Sequence, residues 1–220
     1  YLTRLHQVDA GVVISASHNP MEFNGIKFFN GEGYKLSDEL EDEIEEIIVS
    51  RPEILPSPTG MHLGTKSYAE DAVDDYIAFL TKTTRERFHG IKVALDCANG
   101  AAFKAAPIAL LDLGASMCII HNEPDGTNIN DKCGSTHLED IKELVRTNGA
   151  DIGFAFDGDA DRCLAVDENG ELIDGDKILA ICGLDMKNRG ALAKDTIVGT
   201  VMSNLGLTMM GRENDIHVLQ

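Results

Sequence analysis

The sequence has little positive charge for its length. Its 220 residues include 19 lysines and arginines against 37 aspartates and glutamates, which gives a formal net charge of −18. An acidic excess of this size repels the phosphate backbone of nucleic acids and anionic lipid surfaces, and no basic run offsets it. We therefore expect neither nucleic acid nor membrane among the partners of this protein.

Long apolar stretches and paired cysteines are also missing. The apolar run at 108–111 falls far short of the roughly 20 residues that a membrane-spanning helix needs. No basic segment followed by an apolar one opens the chain, and the five cysteines form no C-x-x-C pair. These absences favour a cytoplasmic protein with reduced, mostly buried thiols.

Hydrophobic periodicity switches repeatedly between the strand and the helix pattern along the chain. Strands are predicted at 11–14, 26–29, 91–95, 116–120, 152–156, 163–167, 171–173 and 196–202. Helices are predicted from an N-cap at Asp38, around 73–80, over 101–113, from a capping box at Thr136, and from about Asp176. The segment 52–66, with several prolines and glycines, reads as a linker. Such alternation predicts an α/β fold of consecutive three-layer domains with mixed, largely parallel sheets.

The sequence D-G-D-A-D-R at 157–162 directly follows the predicted strand 152–156. In an extended segment the side chains of Asp157, Asp159 and Asp161 would share one face, and three converging carboxylates are tolerable only around a cation. Such hard oxygen ligands suit Mg²⁺, Ca²⁺ or Mn²⁺. An acidic loop in an acidic protein is the plainer explanation, but the carboxyl end of a strand is where open α/β sheets bind ligands.

Two other interpretations of this acidic motif stay open. The spacing imitates an EF-hand calcium loop, although Arg162 stands where that loop needs glycine and the flanking segments read as strands. A non-catalytic Ca²⁺-binding module is therefore one alternative. An aspartyl phosphatase with Asp157 as nucleophile is another, and it leaves the third aspartate without a role.

A second polar motif, S-A-S-H-N-P at 15–20, ends the predicted strand 11–14. Alone it is typical of a turn stopped by proline. Downstream, N-G-I-K at 24–27 could return Lys27 toward the serines across a tight turn. A serine, a lysine, an arginine and a cation site are the groups that phosphoryl transfer needs, because that catalysis is mainly positioning and charge neutralisation.

Five blocks of the sequence together resemble the α-D-phosphohexomutases. They are S-A-S-H-N-P at 15–20, N-G-I-K-F-F at 24–29, D-C-A-N-G-A-A at 96–102, P-D-G-T-N-I-N at 124–130 and D-G-D-A-D-R at 157–162. They run in order along nearly the whole chain. The residues around the serine, with M-E-F at 21–23, are most similar to bacterial members that act on glucosamine phosphate.

The resemblance implies a phosphoserine enzyme and assigns its residues. Ser17 matches the serine that carries the phosphoryl group. The three aspartates at 157, 159 and 161 match the Mg²⁺ ligands, with a phosphate oxygen on Ser17 completing the set. His18 and Lys27 match residues that assist proton movement and charge balance, and Arg162 matches the basic residue that closes the metal loop. A bound glucosamine 1,6-bisphosphate would be the activator and intermediate.

The resemblance also implies a domain division and a substrate. Residues 1–66 would be the C-terminal part of domain I, 67–172 domain II, and 173–220 the beginning of domain III. The substrate would be a small phosphosugar, glucosamine 6-phosphate, with glucose or mannose phosphate as the alternative. We expect the sugar-recognising loop and a fourth domain to lie outside this chain, which by itself would turn over no sugar. A homodimer is one oligomeric state compatible with the sequence.

Overall fold

The computed structural model describes every residue from Tyr1 to Gln220. The helices are α1 (Leu2–Leu5), α2 (Asp38–Ser50), α3 (Ala72–Thr81), α4 (Ala102–Asp112), α5 (Glu139–Asn148), α6 (Gly175–Asn188) and α7 (Leu205–Glu213). The strands are β1 (Ala10–Ile14), β2 (Ile26–Asn30), β3 (Lys92–Asp96), β4 (Ser116–Ile120), β5 (Ile152–Phe156), β6 (Cys163–Asp167), β7 (Leu172–Ile173), β8 (Thr196–Val198) and β9 (His217–Leu219). Helices and strands alternate from β3 to β5, as the periodicity predicts.

The central element is a five-stranded sheet with the order β4-β3-β5-β6-β7. Strand β3 pairs in parallel with β4 and β5, whereas β5, β6 and β7 pair antiparallel. After β3 the chain continues to β4 at one edge of the sheet, and after β5 it continues to β6 toward the opposite edge. The loops that follow these two strands lie together at the carboxyl edge of the sheet, which is where open α/β sheets bind ligands.

Helices cover both faces of this sheet. Ile141 and Val145 of α5 pack with Ala94 in one buried cluster, and Ala102 of α4 packs with Leu95 in the other. Neighbouring residues of β3 point to opposite clusters because successive side chains of a strand alternate between faces. The result is a three-layer unit with a mixed sheet, which confirms the predicted α/β class.

Two smaller units flank the three-layer unit. Strands β1 and β2 form an antiparallel ribbon in which Val13 lies opposite Lys27. Strands β8 and β9 pair in parallel, and α6 contacts α7 beside them. The ribbon matters most for the site, because the segment 15–20 leaves it directly after β1.

Two predicted helix starts are wrong. Ser37 is the N-cap of α2, so Asp38 is its first helical residue. Thr136 belongs to a short 3₁₀ turn, Gly134–Thr136, and α5 begins only at Glu139. The turn forms because Gly134 has a φ of +72° and its N–H is held by a buried carboxylate, so the chain is not yet free to enter a helix.

Two other predictions need correction. Strand β8 ends at Val198, where its partner β9 also ends, and does not continue to Met202. The thiols are less uniformly buried than expected: Cys97 and Cys133 are buried and Cys118 is half-buried, whereas Cys163 and Cys182 are exposed. None of the helices is both long and apolar enough to cross a lipid bilayer.

Candidate active site

The serine motif forms a tight loop between β1 and β2. The backbone N–H of Ser15 donates to the carbonyl of Gly25 at 2.9 Å, and that of Ser17 donates to Oγ of Ser15 at 3.0 Å. A side chain at Gly25 would collide with the backbone oxygen of Ser15, so only glycine permits this approach. Ser17 itself has a φ of +55°, a strained conformation for a residue with a side chain.

The acidic motif is a turn, not the extended segment that the sequence predicts. Ala160 has a φ of +60°, and its N–H donates to the carbonyl of Asp157 at 3.0 Å. The N–H of Arg162 donates to Oδ1 of Asp157 at 3.1 Å. The chain must reverse here because β5 and β6 pair antiparallel. The turn nevertheless brings one oxygen from each of the three aspartates within 4.8 Å of the others.

The two loops meet through their side chains. Ser17 Oγ donates a hydrogen bond to Asp157 Oδ2 at 3.2 Å, and His18 Nδ1 lies 3.5 Å from the same Oγ. Asp157 is 1% exposed. The structure thus places the serine hydroxyl at the edge of the carboxylate cluster and within 3.5 Å of an imidazole nitrogen.

Two cations flank the carboxylates. Lys27 Nζ lies 2.8 Å from Asp159 Oδ2 and 3.9 Å from Asp161 Oδ2. Arg162 Nε lies 3.8 Å from Asp157 Oδ2 and 4.0 Å from Asp161 Oδ1. All seven residues singled out in the sequence are therefore in one place, although Lys27 contacts the acidic turn and not the serine.

These charges shift one another's pKa values. The hydrogen bond to Asp159 raises the pKa of Lys27. Burial acts to raise the pKa of Asp159, but the hydrogen bond and charge of Lys27 outweigh it, and the net effect is a lowered pKa. Burial and the charges of Asp159 and Asp157 raise the pKa of Asp161. Negative charge at Asp161 is thus only partly relieved by the protein, and a bound cation would relieve it further.

The donor set fits a hard divalent cation. It consists of three carboxylates with a hydroxyl oxygen beside them, and oxygen donors are the ligands that Mg²⁺ and Ca²⁺ prefer. Oδ1 of Asp159 is buried and has no hydrogen-bond partner. A buried carboxylate oxygen without a partner is costly, and a metal ion is one group that would satisfy it.

The geometry counts against the two other interpretations of the acidic motif. The turn is flanked by β5 and β6, whereas an EF-hand requires helices on both sides. Asp157 is almost fully buried, with one oxygen bonded to the Arg162 N–H and the other to the Ser17 hydroxyl. A nucleophile needs an accessible oxygen, so Asp157 is poorly placed to attack phosphorus.

A second cluster of side chains of the kinds that bind metal ions, Asp96, His121 and Cys133, stabilises the fold. Asp96 is fully buried and accepts the N–H groups of Ala98 and Gly134, each at 2.9 Å. His121 Nδ1 lies 3.0 Å from the same carboxylate. Burial, aided by the charge of Asp96, raises the pKa of Cys133 to about 12, so its thiol stays protonated. Asp96 thereby ties the loop after β3 to the turn before α5.

Sequence reasoning missed residues that hold the loops of the site together. Asn130 contacts the serine loop, and in the sequence it is only the last residue of the block at 124–130, with no local signal of this contact. Gly100 and Gly158 lie so close that a side chain on Gly100 would collide with the backbone oxygen of Gly158. An N-G dipeptide after a strand signals a turn, but nothing in the sequence signals which segment will pack against it.

Comparison with known proteins finds matches along nearly the whole chain. Three domain models described as phosphoglucomutase/phosphomannomutase, alpha/beta/alpha domains I, II and III match residues 1–54, 74–170 and 174–220 respectively. A phosphoglucosamine mutase of Ruminiclostridium cellulolyticum is 59% identical over 99% of this chain, and one of Acetivibrio thermocellus is 56% identical over all of it. The chain spans about half the length of these curated relatives, 49% in both cases.

Solved structures show the same fold. A phosphoglucomutase/phosphomannomutase family protein of Burkholderia thailandensis superposes with a TM-score of 0.75 at 26% identity, over 96% of this chain and 44% of that protein. An N-acetylphosphoglucosamine mutase of Aspergillus fumigatus, solved with GlcNAc-6P and magnesium, has a TM-score of 0.61 at 21% identity, over 99% of this chain and 56% of that one. With consecutive domain matches along nearly its whole length, the chain belongs to the phosphoglucomutase/phosphomannomutase family, the α-D-phosphohexomutases.

Proposed function

We propose that this chain is part of a phosphoglucosamine mutase, which interconverts glucosamine 6-phosphate and glucosamine 1-phosphate through a phosphoserine. The observation that carries the proposal is the contact of Ser17 Oγ with a three-carboxylate cluster flanked by Lys27 and Arg162. Relatives that are 55–59% identical over nearly the whole chain carry that activity in their names, which supports the choice of amino sugar.

In the proposed reaction Ser17 alternates between two covalent states. The phosphoryl group leaves Ser17 Oγ and forms a bond to O1 of glucosamine 6-phosphate. O1 loses its proton as Ser17 Oγ gains one, and the sugar becomes the 1,6-bisphosphate. The bisphosphate then reorients so that its 6-phosphate faces Ser17, and Ser17 Oγ attacks the phosphorus at position 6. The bond between that phosphorus and O6 breaks, and O6 gains a proton as Ser17 Oγ loses one. Glucosamine 1-phosphate leaves, and Ser17 is phosphorylated again. Each half is a phosphoryl transfer, for which positioning and charge stabilisation are the main catalytic contributions.

The side chains around Ser17 have separate parts in this scheme. His18, 3.5 Å from Oγ, would supply a proton when the phosphoryl group departs and remove it when the group returns. Lys27 and Arg162 would offset the charge that phosphorylation adds beside the aspartates. Asp157, Asp159 and Asp161, with an oxygen of the phosphoserine, would hold one Mg²⁺, which when bound supplies further positive charge at the phosphoryl group.

The remaining parts of the proposal concern organisation. We place the domain limits at 1–66, 67–172 and 173–220, with the serine loop in the first and the acidic turn in the second. The partners would be a phosphosugar and a sugar bisphosphate activator in the cytoplasm, and the product would feed synthesis of UDP-N-acetylglucosamine for the cell wall. The 55–59% identical bacterial relatives support this assignment.

The test is to phosphorylate the full-length protein. It is incubated with glucosamine 1,6-bisphosphate and Mg²⁺, and intact mass and peptide mapping then count and locate added phosphoryl groups. We expect one phosphoryl group on Ser17, and interconversion of the two glucosamine phosphates. Ser17→Ala should lose both, whereas the control Ser50→Ala, at the exposed end of α2, should retain both.

Three outcomes would contradict the proposal in different ways. Label on Asp157 would support a phosphatase instead. Unchanged metal affinity after Ser17 replacement, together with no label on the wild-type protein, would support a calcium-binding module. Labelling of Ser17 with faster turnover of glucose or mannose phosphate would keep the mechanism and change the substrate.

A further inference from the structure

The side-chain amide of Asn130 joins the serine loop to the unit that carries the acidic turn. Its Nδ2 donates hydrogen bonds to the carbonyl oxygens of Ser17 and Asn19, both at 2.9 Å. Asn130 is 8% exposed, and its own N–H donates to the carbonyl of Ala98 at 3.0 Å. Asn130 is therefore anchored to the loop after β3 while its amide hydrogens are directed to the serine loop.

The direct hydrogen bonds between the serine ribbon and the three-layer unit number four. One runs from Ser17 Oγ to Asp157, one from Lys27 to Asp159, and two from Asn130. The first cannot exist once Oγ carries a phosphoryl group, because its hydrogen is gone. The bond from Lys27 to Asp159 joins two charged groups, and phosphorylation of Ser17 in the proposed reaction adds negative charge beside them. Only the two bonds from Asn130 end on backbone carbonyls, which phosphorylation does not alter.

The serine loop and the acidic turn are closely packed where Asn130 joins them. A side chain on Gly158 would lie 2.5 Å from Asn130 Nδ2 and 2.5 Å from the carbonyl oxygen of Ser17. Asn130 has a φ of +57°, a region that asparagine tolerates better than most residues. The amide is also the group that the contact requires, since one nitrogen with two hydrogens serves two carbonyls.

We propose that Asn130 is a positioning residue that holds the Ser17 loop in one register against the acidic turn in both the phosphorylated and the unphosphorylated state. The inference rests on the proposed function for its consequence in catalysis, and on the contacts alone for the clamp itself. A misplacement of a reacting group by about 1 Å is enough to cost roughly 100-fold in rate. Loss of the clamp should therefore reduce transfer to and from Ser17 without removing any reacting group.

The experiment uses two variants of the full-length protein and one matched control. Asn130→Ala removes both donors, and Asn130→Asp keeps the shape but presents oxygens to the two carbonyls. The control, Asn169→Asp, makes the same exchange in the exposed hairpin turn between β6 and β7. Thermal melting establishes that each variant is folded before rates are compared.

Two measurements test the clamp and its consequence separately. Hydrogen exchange of the amides at 15–19 should be faster in both Asn130 variants than in wild type and in the control, whether or not sugar is turned over. The kcat for mutase activity should fall about 10- to 100-fold in Asn130→Ala, with KM for the sugar phosphate changed less than about threefold.

Unchanged hydrogen exchange at 15–19 would overturn the clamp. Faster exchange with wild-type kcat would overturn its role in positioning. If the wild-type protein is never phosphorylated at Ser17, the proposed function fails, and the hydrogen-exchange comparison still decides whether Asn130 holds the loop.

Discussion

Ser17 Oγ lies 3.2 Å from Asp157 Oδ2, although 140 residues separate them in the chain. The contact joins the end of a two-stranded ribbon to the carboxyl end of a strand in a different sheet. A phosphoryl group on Ser17 would bring up to two further negative charges to a nearly buried carboxylate. Substitutions that change the charges around Ser17 and Asp157 should therefore have measurable effects.

Lys27 should compete with a metal ion while Ser17 is unphosphorylated. Lys27→Gln removes an ammonium 2.8 Å from Asp159, so we expect the affinity of the unphosphorylated full-length protein for Mg²⁺ to rise about 3- to 10-fold. The rate of the proposed phosphoryl transfer should fall about 100-fold, because a charge that we propose stabilises the transferred group is lost. Isothermal titration and single-turnover labelling measure the two effects.

The control for Lys27 is Lys35→Gln, since Lys35 pairs with Glu41 at 3.0 Å outside the acidic turn. It should change neither quantity. Weaker metal binding in Lys27→Gln would show that the lysine orders the carboxylates more than it competes with the cation.

Asp161→Asn should stabilise the metal-free protein at neutral pH and weaken its response to metal. The pKa of Asp161 is raised above 3.8 in the folded chain, so its stabilising contribution is complete below that pH and is lost as the pH rises through the folded pKa. At pH 7 the substitution should add less than about 1 kcal/mol to the free energy of unfolding, because the side chain is half-exposed and solvent screens it. Urea denaturation at pH 3.5 and 7 measures the difference.

With Mg²⁺ present Asp161→Asn should instead lower the stability relative to wild type, because it removes one of the three carboxylates that we propose hold the ion. The thermal shift produced by the metal should be smaller than in wild type. Asp112→Asn, at the exposed end of α4, serves as the control and should alter neither the pH dependence nor the metal response. A stabilisation that persists at pH 3.5 would contradict the electrostatic explanation.

Gly100→Ala should destabilise the close packing between the loops that follow β3 and β5. The added methyl would fall 2.7 Å from Cα of Gly158 and closer still to its carbonyl oxygen, and backbone on both sides cannot yield easily. We expect the free energy of unfolding to fall by about 1–3 kcal/mol, as for other overpacked sites. Gly175→Ala, in open space at the start of α6, should be neutral or slightly stabilising. Equal urea midpoints for the two variants would refute the steric argument.

Asp96→Asn should destabilise the three-layer unit more than the same substitution at the exposed Asp140 does. The amide nitrogen would face a backbone N–H at one of the two acceptor positions that serve Ala98 and Gly134. A buried donor left without an acceptor costs about 1–3 kcal/mol. Asp140→Asn, whose carboxylate lies 3.4 Å from the other nitrogen of His121, should cost much less. Similar losses in both variants would identify the imidazole as the main partner of Asp96.

Most of the fold was accessible from the sequence because its signals are local. Strands β4, β5 and β6 have the predicted bounds, since a short, mostly apolar run with flanking turn residues marks a strand within a few positions. The starts of α2 and α5 were misplaced because helix caps depend on the incoming loop. The turn before α5 is held by Asp96, which lies 38 residues earlier, and no local pattern reports such a contact.

The sequence by itself determined which chemical groups the site contains: the serine loop, the acidic turn and the basic residues were all recognisable as motifs. The tertiary structure decided how they meet. Lys27 pairs with the acidic turn, and Asn130 bridges two carbonyls of the serine loop across 113 and 111 residues. Side-chain periodicity constrains only neighbours along one element. These contacts depend instead on how loops from separate sheets pack against each other. Such packing requires close approaches, for example that of Gly158 to the carbonyl oxygen of Ser17.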